Sequence, residues 1–467
     1  MKATKIITTI GPATYEYEKL KALALAGANI FRLNFSHGEY DWYRKLITTI
    51  KKLNQELDAP IAIMLDTKGP EIRTGDLTKP IKLEDGSTIT LTVGQQDEAK
   101  RKISVNYDAF ISDVIEGEKI PVDNGVMSFL IKKIEGKDAI CEVIDGGTLK
   151  SRRHLNLPGR HVSLDSITPK DWADIEFGIE QGVDFIALSF IRTADEIKKL
   201  RAFLTERNAN IQIIAKIESF EAIANLESIA ATTDGIMVAR GDLGAEVNFA
   251  EVPLIQKKLI RLGRKYQKPV IVATHMLESM IKNPMPTRAE VTDIAEAIWQ
   301  RSDAIMLSGE TAAGDHPIRA VETMVEVAKT IEPDIVKTQK CRENMFATDL
   351  RSEMARSAAH IASTRDDIAG IFVMTRSGHM ARVIANFRPL VPIFAFTEDT
   401  QVRRQLQLLW GTEAHEIKFS TDAEKSVERA IKNLLAKNEA FKGKNILLLS
   451  DTFIEGQSIP TVQIRML

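Results

Sequence analysis

The sequence predicts an α/β protein: a (β/α)8 barrel carrying an inserted all-β lid domain, followed by a C-terminal α/β domain. Short β-branched runs alternate with longer amphipathic ones, a rhythm that builds parallel sheets. Between Gly69 and about Arg160 the rhythm stops, and Gly and Asp turns punctuate short alternating runs before it resumes. Counting both sides gives three strands before the interruption and five after it, enough to close a barrel of eight. An open doubly wound sheet is the competing architecture, but no strand is followed by the Gly-x-Gly-x-x-Gly turn that goes with it.

In order, Lys5 to Ile10 reads as a strand, Tyr15 to Leu25 as a helix, Asn29 to Phe35 as a strand, Tyr40 to Leu57 as a helix and Ile61 to Asp66 as a strand. In the insertion, Ser87 to Val93 and Ala139 to Val143 alternate as strands do, with turns at Glu84-Asp85-Gly86, Asp123-Asn124-Gly125 and Asp145-Gly146-Gly147. Thr168-Pro169-Lys170-Asp171 starts a helix, with Pro near its first position. The remaining barrel strands fall at Asp184 to Phe190, Ile211 to Glu218, Gly235 to Ala239, Pro269 to Thr274 and Asp303 to Leu307. Around Glu332-Pro333-Asp334 the pattern breaks, and Lys337 to Asp349 reads as a polar linker. From Leu350 a second unit follows: a helix, strands at Ile368 to Met374 and Val391 to Phe396, a helix from about Asp399, strands near Ala414 to Lys418 and Asn445 to Leu449, and a last run at Thr461 to Arg465. The expected division is a barrel at 1–68 and 161–335, a lid at 69–160 and a regulatory or oligomerisation domain at 336–467.

At 467 residues, 44% hydrophobic and 27% charged, the chain is an ordinary globular protein of several domains. Its 62 basic and 64 acidic side chains nearly cancel, which argues against nucleic acid or an anionic membrane as partner. Cys141 and Cys341 stand far apart with no C-x-x-C, and no apolar run is long enough to span a bilayer; a cytoplasmic protein is expected.

In such a barrel the active site forms where the strands end. The second strand ends in Arg32-Leu33-Asn34-Phe35-Ser36-His37-Gly38 and the third in Asp66-Thr67-Lys68-Gly69-Pro70-Glu71-Ile72-Arg73. The fourth ends in Ser189-Phe190, the fifth in Lys216-Ile217-Glu218, the sixth in Arg240-Gly241-Asp242, the seventh in Thr274-His275 and the eighth in Ser308-Gly309-Glu310-Thr311. Lys216 and Glu218 share one face of their strand, and on adjacent parallel strands Glu218 and Asp242 would converge. Either strand alone reads equally as a buried ion pair. Together, two carboxylates suit Mg²⁺ or Mn²⁺ completed by substrate oxygens. Arg32, Arg73 and Lys216 beside that cation call for a polyanion between them, hence a phosphorylated substrate. Asn34, Ser36, Asp66 and Thr67 form an oxygen-rich cluster with one carboxylate, suited to a monovalent ion. A metal-dependent lyase or aldolase on the same kind of barrel is the runner-up, and it would need neither the lid nor the second ion cluster.

These strand ends, with Ala215-Lys216-Ile217-Glu218, Ala239-Arg240-Gly241-Asp242-Leu243-Gly244, Met276-Leu277-Glu278-Ser279-Met280 and Met306-Leu307-Ser308-Gly309-Glu310-Thr311, resemble pyruvate kinase in order along the chain, most strongly from Lys5 to Val327. The form resembled is the bacterial, three-domain one without an extra C-terminal domain. The resemblance implies phosphoryl transfer from phosphoenolpyruvate to ADP with divalent and monovalent cations. It implies that Glu218 and Asp242 hold Mg²⁺ and that Arg32 and Lys216 contact the transferring phosphoryl. Gly241, Asp242 and Thr274 would hold the substrate carboxylate, and Asn34, Ser36, Asp66 and Thr67 would bind K⁺. Arg73, with Asn34 and His37, would meet the nucleotide. Glu71 with Thr67, Lys68 and Thr74 resembles the K⁺-dependent branch. The enolate's proton donor stays open between Thr274 through a water, helped by Ser308 and Glu310, and Lys216, which should remain charged. His275 departs from the family's usual Gln. In regulated members the loop at Thr375, Arg376, Ser377 and Gly378 binds an effector phosphate; here Met380 replaces a small hydroxyl residue, and Glu455 in the late loop Phe453 to Gln457 disfavours phosphate. A homotetramer is implied as well. The remaining histidines, His154 among them, read as surface or structural residues.

Overall fold

The structure, a computed structural model, describes residues 2–123, 125–159, 162, 164–338, 347, 349–454 and 457–467. The barrel strands are β1 (Lys5–Ile10), β2 (Ile30–Asn34), β3 (Ala62–Asp66), β4 (Phe185–Leu188), β5 (Gln212–Ile217), β6 (Gly235–Ala239), β7 (Val270–Ala273) and β8 (Ala304–Leu307). All pair in parallel, and β1 closes the ring by pairing with both β2 and β8. Alternation sorts their side chains: Ile7, Ile30, Met64, Phe185, Ile214 and Met237 fill the inside, while Ile6, Phe31, Ile63, Ile186, Ile213 and Ile236 pack outward on the helices. Burial on both faces explains why the strands read as unbroken apolar runs. Leu408 of the C-terminal unit joins the inner cluster and is fully buried.

Several limits differ from the expected ones. β4 stops at Leu188 and β7 at Ala273, because Phe190 and Thr274 take φ of +52° and +70°, which no strand residue adopts. The second helix, Tyr40–Leu53, ends four residues early; Asn54 exchanges two hydrogen bonds of 2.8 Å with Ile61 and turns the chain into β3. The expected break at Glu332-Pro333-Asp334 does not occur: one helix, Pro317–Thr338, runs through Pro333, and most of the expected linker at Lys337 to Asp349 lies outside the described residues. Ile331 and Ile335, on either side of the proline at helical spacing, pack on the barrel core and hold it together.

The chain between β3 and β4 forms a five-stranded sheet in the order Lys102–Ser104, Thr88–Thr92, Asp138–Asp145, Met127–Glu135, Lys119–Val122, with a core of its own. Its two connections to the barrel pair as a ribbon, Leu155 N–H donating to Ile72 C=O at 2.8 Å and Thr74 N–H to Arg153 C=O at 2.9 Å. The C-terminal sheet runs Thr412–Glu416, Ile393–Thr397, Ile368–Met374, Asn445–Ile454, Gln457–Met466, the last strand antiparallel. An amphipathic helix that the sequence reading passed over, Ala423–Lys437, covers one face. Glu455 and Gly456 of the late loop lie outside the described residues. Among those described, no helix is long and apolar enough to cross a membrane.

Candidate active site

β5 and β6 are neighbours in register, Lys216 opposite Met237, so the rim reading begins from the right pair. Lys216 Nζ donates to Ser189 Oγ at 2.7 Å and lies 2.9 Å from Glu218 Oε1 and 3.0 Å from Asp66 Oδ1. Burial pulls the ammonium's pKa down, but Asp66 and Glu218 outweigh it and hold the pKa above its ordinary value. Arg32 binds the other oxygen of Asp66 at 2.5 Å and donates to Thr9 Oγ1 at 2.9 Å. Burial alone would raise the Asp66 carboxyl, yet Arg32 and Lys216 together bring it below the usual range. The four groups form one buried, charge-balanced set.

Glu218 is the odd member. Its Oε2 accepts the Phe190 N–H at 2.7 Å, but Oε1 is buried and, although an ion pair with Lys216 reaches it, receives no hydrogen bond. Burial pushes its carboxyl up to about 7, Lys216 pulls it down and Asp242 pushes it up again. Asp242 sits in the first turn of Arg240–Glu246, the helix entered directly from β6, and makes no hydrogen bond or ion pair among the described residues. A buried carboxylate oxygen met only by the Lys216 ammonium, next to a carboxylate that pairs with none of the described residues, is an oxygen set that a hard divalent cation fits.

The β7 end brings Thr274 to the same place. Thr274 and His275 both have positive φ, +70° and +56°, a strained pair for a β-branched residue and its neighbour. Arg240 holds them: its guanidinium donates to the carbonyls of Thr274 at 2.6 Å and Ala273 at 3.2 Å and binds Asp293 at 2.6 Å. Thr274 Oγ1 accepts the Gly241 N–H at 3.0 Å, so that donor is engaged within the chain and the threonine proton is free to be given away. Just after β8, in the short helix Gly309–Ala312, Glu310 is buried, and its two oxygens accept the N–H groups of Leu277 at 3.1 Å and Ser308 at 2.7 Å. It thereby joins the Ser308 turn to the loop after β7.

Asn34 lies opposite Asp66 in register, accepts the Ser36 N–H at 3.2 Å, and Thr67 follows beside Ser189, whose N–H it accepts at 3.0 Å. Both oxygens of Asp66 are already engaged by Lys216 and Arg32. Arg73 is bidentate to Glu71, at 2.8 Å for each bond, and also donates to the Arg152 carbonyl at 2.7 Å. His37 is exposed. Far from the rim, the turn Thr375 to Gly378 links the strand Ile368–Met374 to the helix His379–Asn386; Gly378, at φ +78°, donates to Thr375 Oγ1 at 2.9 Å.

Three contributors escaped the sequence reading. Ser189 stood at the end of β4 and was given no role, although a hydroxyl there can only face the rim or the core. Thr9 is the next-to-last residue of β1, a small neutral side chain in a strand that ends in no charged cluster. Arg240 stood inside a quoted motif, but its service to a neighbouring loop has no linear signal.

The family model described as "Pyruvate kinase, barrel domain" matches residues 1–321, and "Pyruvate kinase, alpha/beta domain" matches residues 352–464. Pyruvate kinase isozyme G, chloroplastic, of Nicotiana tabacum is 46% identical over 96% of this chain and 80% of its own length. Pyruvate kinase of Bacillus licheniformis is 43% identical over 93% of this chain and 75% of its own, and that of Geobacillus stearothermophilus 42% identical over 92% and 74%.

Proposed function

The chain belongs to the pyruvate kinase family and transfers the phosphoryl group of phosphoenolpyruvate to ADP, giving pyruvate and ATP, and we propose that its rim residues divide this work as follows. Lys216 and Arg32 bind the phosphoryl in flight, and Lys216 acts as the charge stabiliser. The supporting observation is the ammonium itself, held charged by Asp66 and Glu218 within 3.0 Å and oriented by Ser189. A lysine kept protonated in this way is a poor acid for the second step. Glu218 and Asp242 would hold Mg²⁺ or Mn²⁺, which supplies charge neutralisation of the substrate oxygens when bound.

For the substrate carboxylate, the N–H groups of Gly241 and Asp242 at the start of a helix are suitable donors once Thr274 Oγ1 is released by Gly241. In the transfer, the bond between the enol oxygen and phosphorus breaks as one forms to the terminal oxygen of ADP; the enolate carbon then takes a proton. Thr274, whose own proton is uncommitted, would pass it through a water, with Ser308 nearby. Glu310, both oxygens engaged by backbone N–H groups, would position that turn. Asn34, Ser36 and Thr67 would bind K⁺, with Asp66 sharing a charge already spent on two cations. Arg73 would exchange Glu71 for ADP phosphates as the lid at 69–160 closes, with Asn34 and His37 at the nucleotide's edge and water excluded.

Outside the site, we propose a cytoplasmic homotetramer built through the barrel and C-terminal domains. Phe249 and Leu254 on the barrel and Ile464 and Met466 on the edge strand are exposed apolar residues of the kind a partner would cover. A phosphorylated effector would bind at Thr375, Arg376, Ser377 and Gly378, at a helix start; sugar phosphates and AMP added to the assay check this. The assignment of Lys216 is tested by Lys216→Met, followed by pyruvate release with ADP, phosphoenolpyruvate, Mg²⁺ and K⁺. A fall in kcat of about 10³-fold or more is expected. Retention of the rate would overturn it.

A further inference from the structure

Resting on the assignment of Glu218 and Asp242 as metal ligands, we infer that the bridged segment returning from the lid, through His154 and Asn156, positions both carboxylates. Leu155 and Leu157 are buried in the lid's own core, so by alternation His154 and Asn156 face the barrel. Each meets a group that is tied to one carboxylate. The His154 ring stands edge-on to Phe190, with centroids 6.0 Å apart and an interplanar angle of 66°. Phe190, a bulky residue at φ +52°, is the one whose N–H holds Glu218 Oε2 at 2.7 Å. Asn156 Nδ2 donates to Glu246 Oε1 at 2.9 Å, and Glu246 is the last residue of the helix whose first turn carries Asp242.

Two alternate positions on one face of this segment therefore lead to the two carboxylates by separate routes. The segment lines a cavity of ≈ 60 Å³ with Ile72, Phe190 and Glu246, and Asn156 Oδ1 is buried without a partner. The latch consists of one hydrogen bond and one ring contact, weak enough to open and to close again. His154 and Asn156 are positioning residues: neither need touch substrate, yet moving the lid moves the backbone donor of Glu218 and the helix of Asp242. The reverse also holds, since a cation that fixes the carboxylates favours the closed segment.

The test uses the full chain without substrates and reads Mn²⁺ binding by electron paramagnetic resonance, with amide hydrogen exchange at 153–157. In the parent, Mn²⁺ should slow that exchange. A His154→Ala, Asn156→Ala double variant should bind Mn²⁺ about tenfold more weakly, the size seen for groups that orient metal ligands, and should lose the slowing. Glu246→Leu should weaken binding and Glu246→Gln, which keeps an acceptor for Asn156, should not; this pair decides the matter if the double variant fails to fold. Unchanged Mn²⁺ binding in Glu218→Gln would sink the ligand assignment. Weakened binding there, but parental binding and exchange in the double variant and in Glu246→Leu, would overturn the coupling alone.

Discussion

At the base of the barrel Asp184 accepts the Ile63 N–H at 2.8 Å on one oxygen and the Arg404 guanidinium at 2.9 Å on the other, and Asp303 accepts the Val270 N–H at 2.9 Å and pairs with Arg388 at 2.8 Å. At the rim, Asp66, Lys216 and Arg32 are held chiefly by each other's side chains, and Glu218 keeps one oxygen without a hydrogen bond. Both ends bury ion pairs of similar length. At the base, each carboxylate is fixed by a neighbouring strand's backbone and by an arginine from the C-terminal domain, so its partners belong to the fold itself. Rim charges are satisfied by groups that a phosphate or a cation can replace, and the backbone beside them is strained at Phe190, Thr274 and His275. Length and burial of an ion pair do not separate structure from function; the kind of partner does.

Substitutions at the two ends should therefore fail in different ways. Glu218→Gln should lower kcat/KM by about 10²- to 10³-fold while the thermal midpoint stays level or rises, because a carboxyl pushed up to about 7 by burial is costly to keep ionised. A midpoint that fell as far as in a base variant would break the contrast. Arg388→Ala should do the opposite. It strands Asp303 in a buried site and should cost about 3 kcal/mol of unfolding free energy, read by chemical denaturation, with kcat per folded molecule unchanged.

The same contrast explains what could be read from the linear sequence. Apolar runs alternating with amphipathic ones gave the eight strands, because β-branched residues buried on both faces leave an unmistakable pattern. The strand ends showed as charges that an apolar run has no use for, which is why Lys216, Glu218 and Asp242 stood out. Thr9 and Ser189 are small and neutral, and only the pairing of neighbouring strands puts them beside Arg32 and Lys216. His154 and Asn156 lie in the segment that leads from the lid back to the barrel, and their reach to Phe190 and Glu246 spans dozens of residues, so no local spacing announces it. Pro333 misled in the other direction: a breaker by propensity, it is overruled by Ile331 and Ile335 packing on the core. At the base, Arg388 and Arg404 were passed over because an arginine in a distant domain gives no sign of the aspartate it will meet.

The smallest expected effect is also the finest test of the contrast, because Asp184 and Asp66 are both buried aspartates whose ionisation should shift stability with opposite sign. Burial pushes the Asp184 carboxyl up to about 6 from an ordinary 3.8, even though Arg404 and the Ile63 N–H pull it down. Between those values the unfolded chain has lost the proton and the folded chain keeps it, so stability is fully present below 3.8 and falls as pH rises through about 6. Asp184→Asn has no such proton, and the midpoint of the parent minus that of the variant should fall by a few degrees from about pH 4 to about pH 6.5. For Asp66, burial also pushes upward, but Arg32 and Lys216 win and the folded value lies below the ordinary one. Its contribution is present above 3.8 and is lost as pH falls through the folded value, so against Asp66→Asn the difference should shrink on acidification instead. Parallel slopes for the two variants, measured by calorimetry across that range, would mean that both ends of the barrel treat their charges alike.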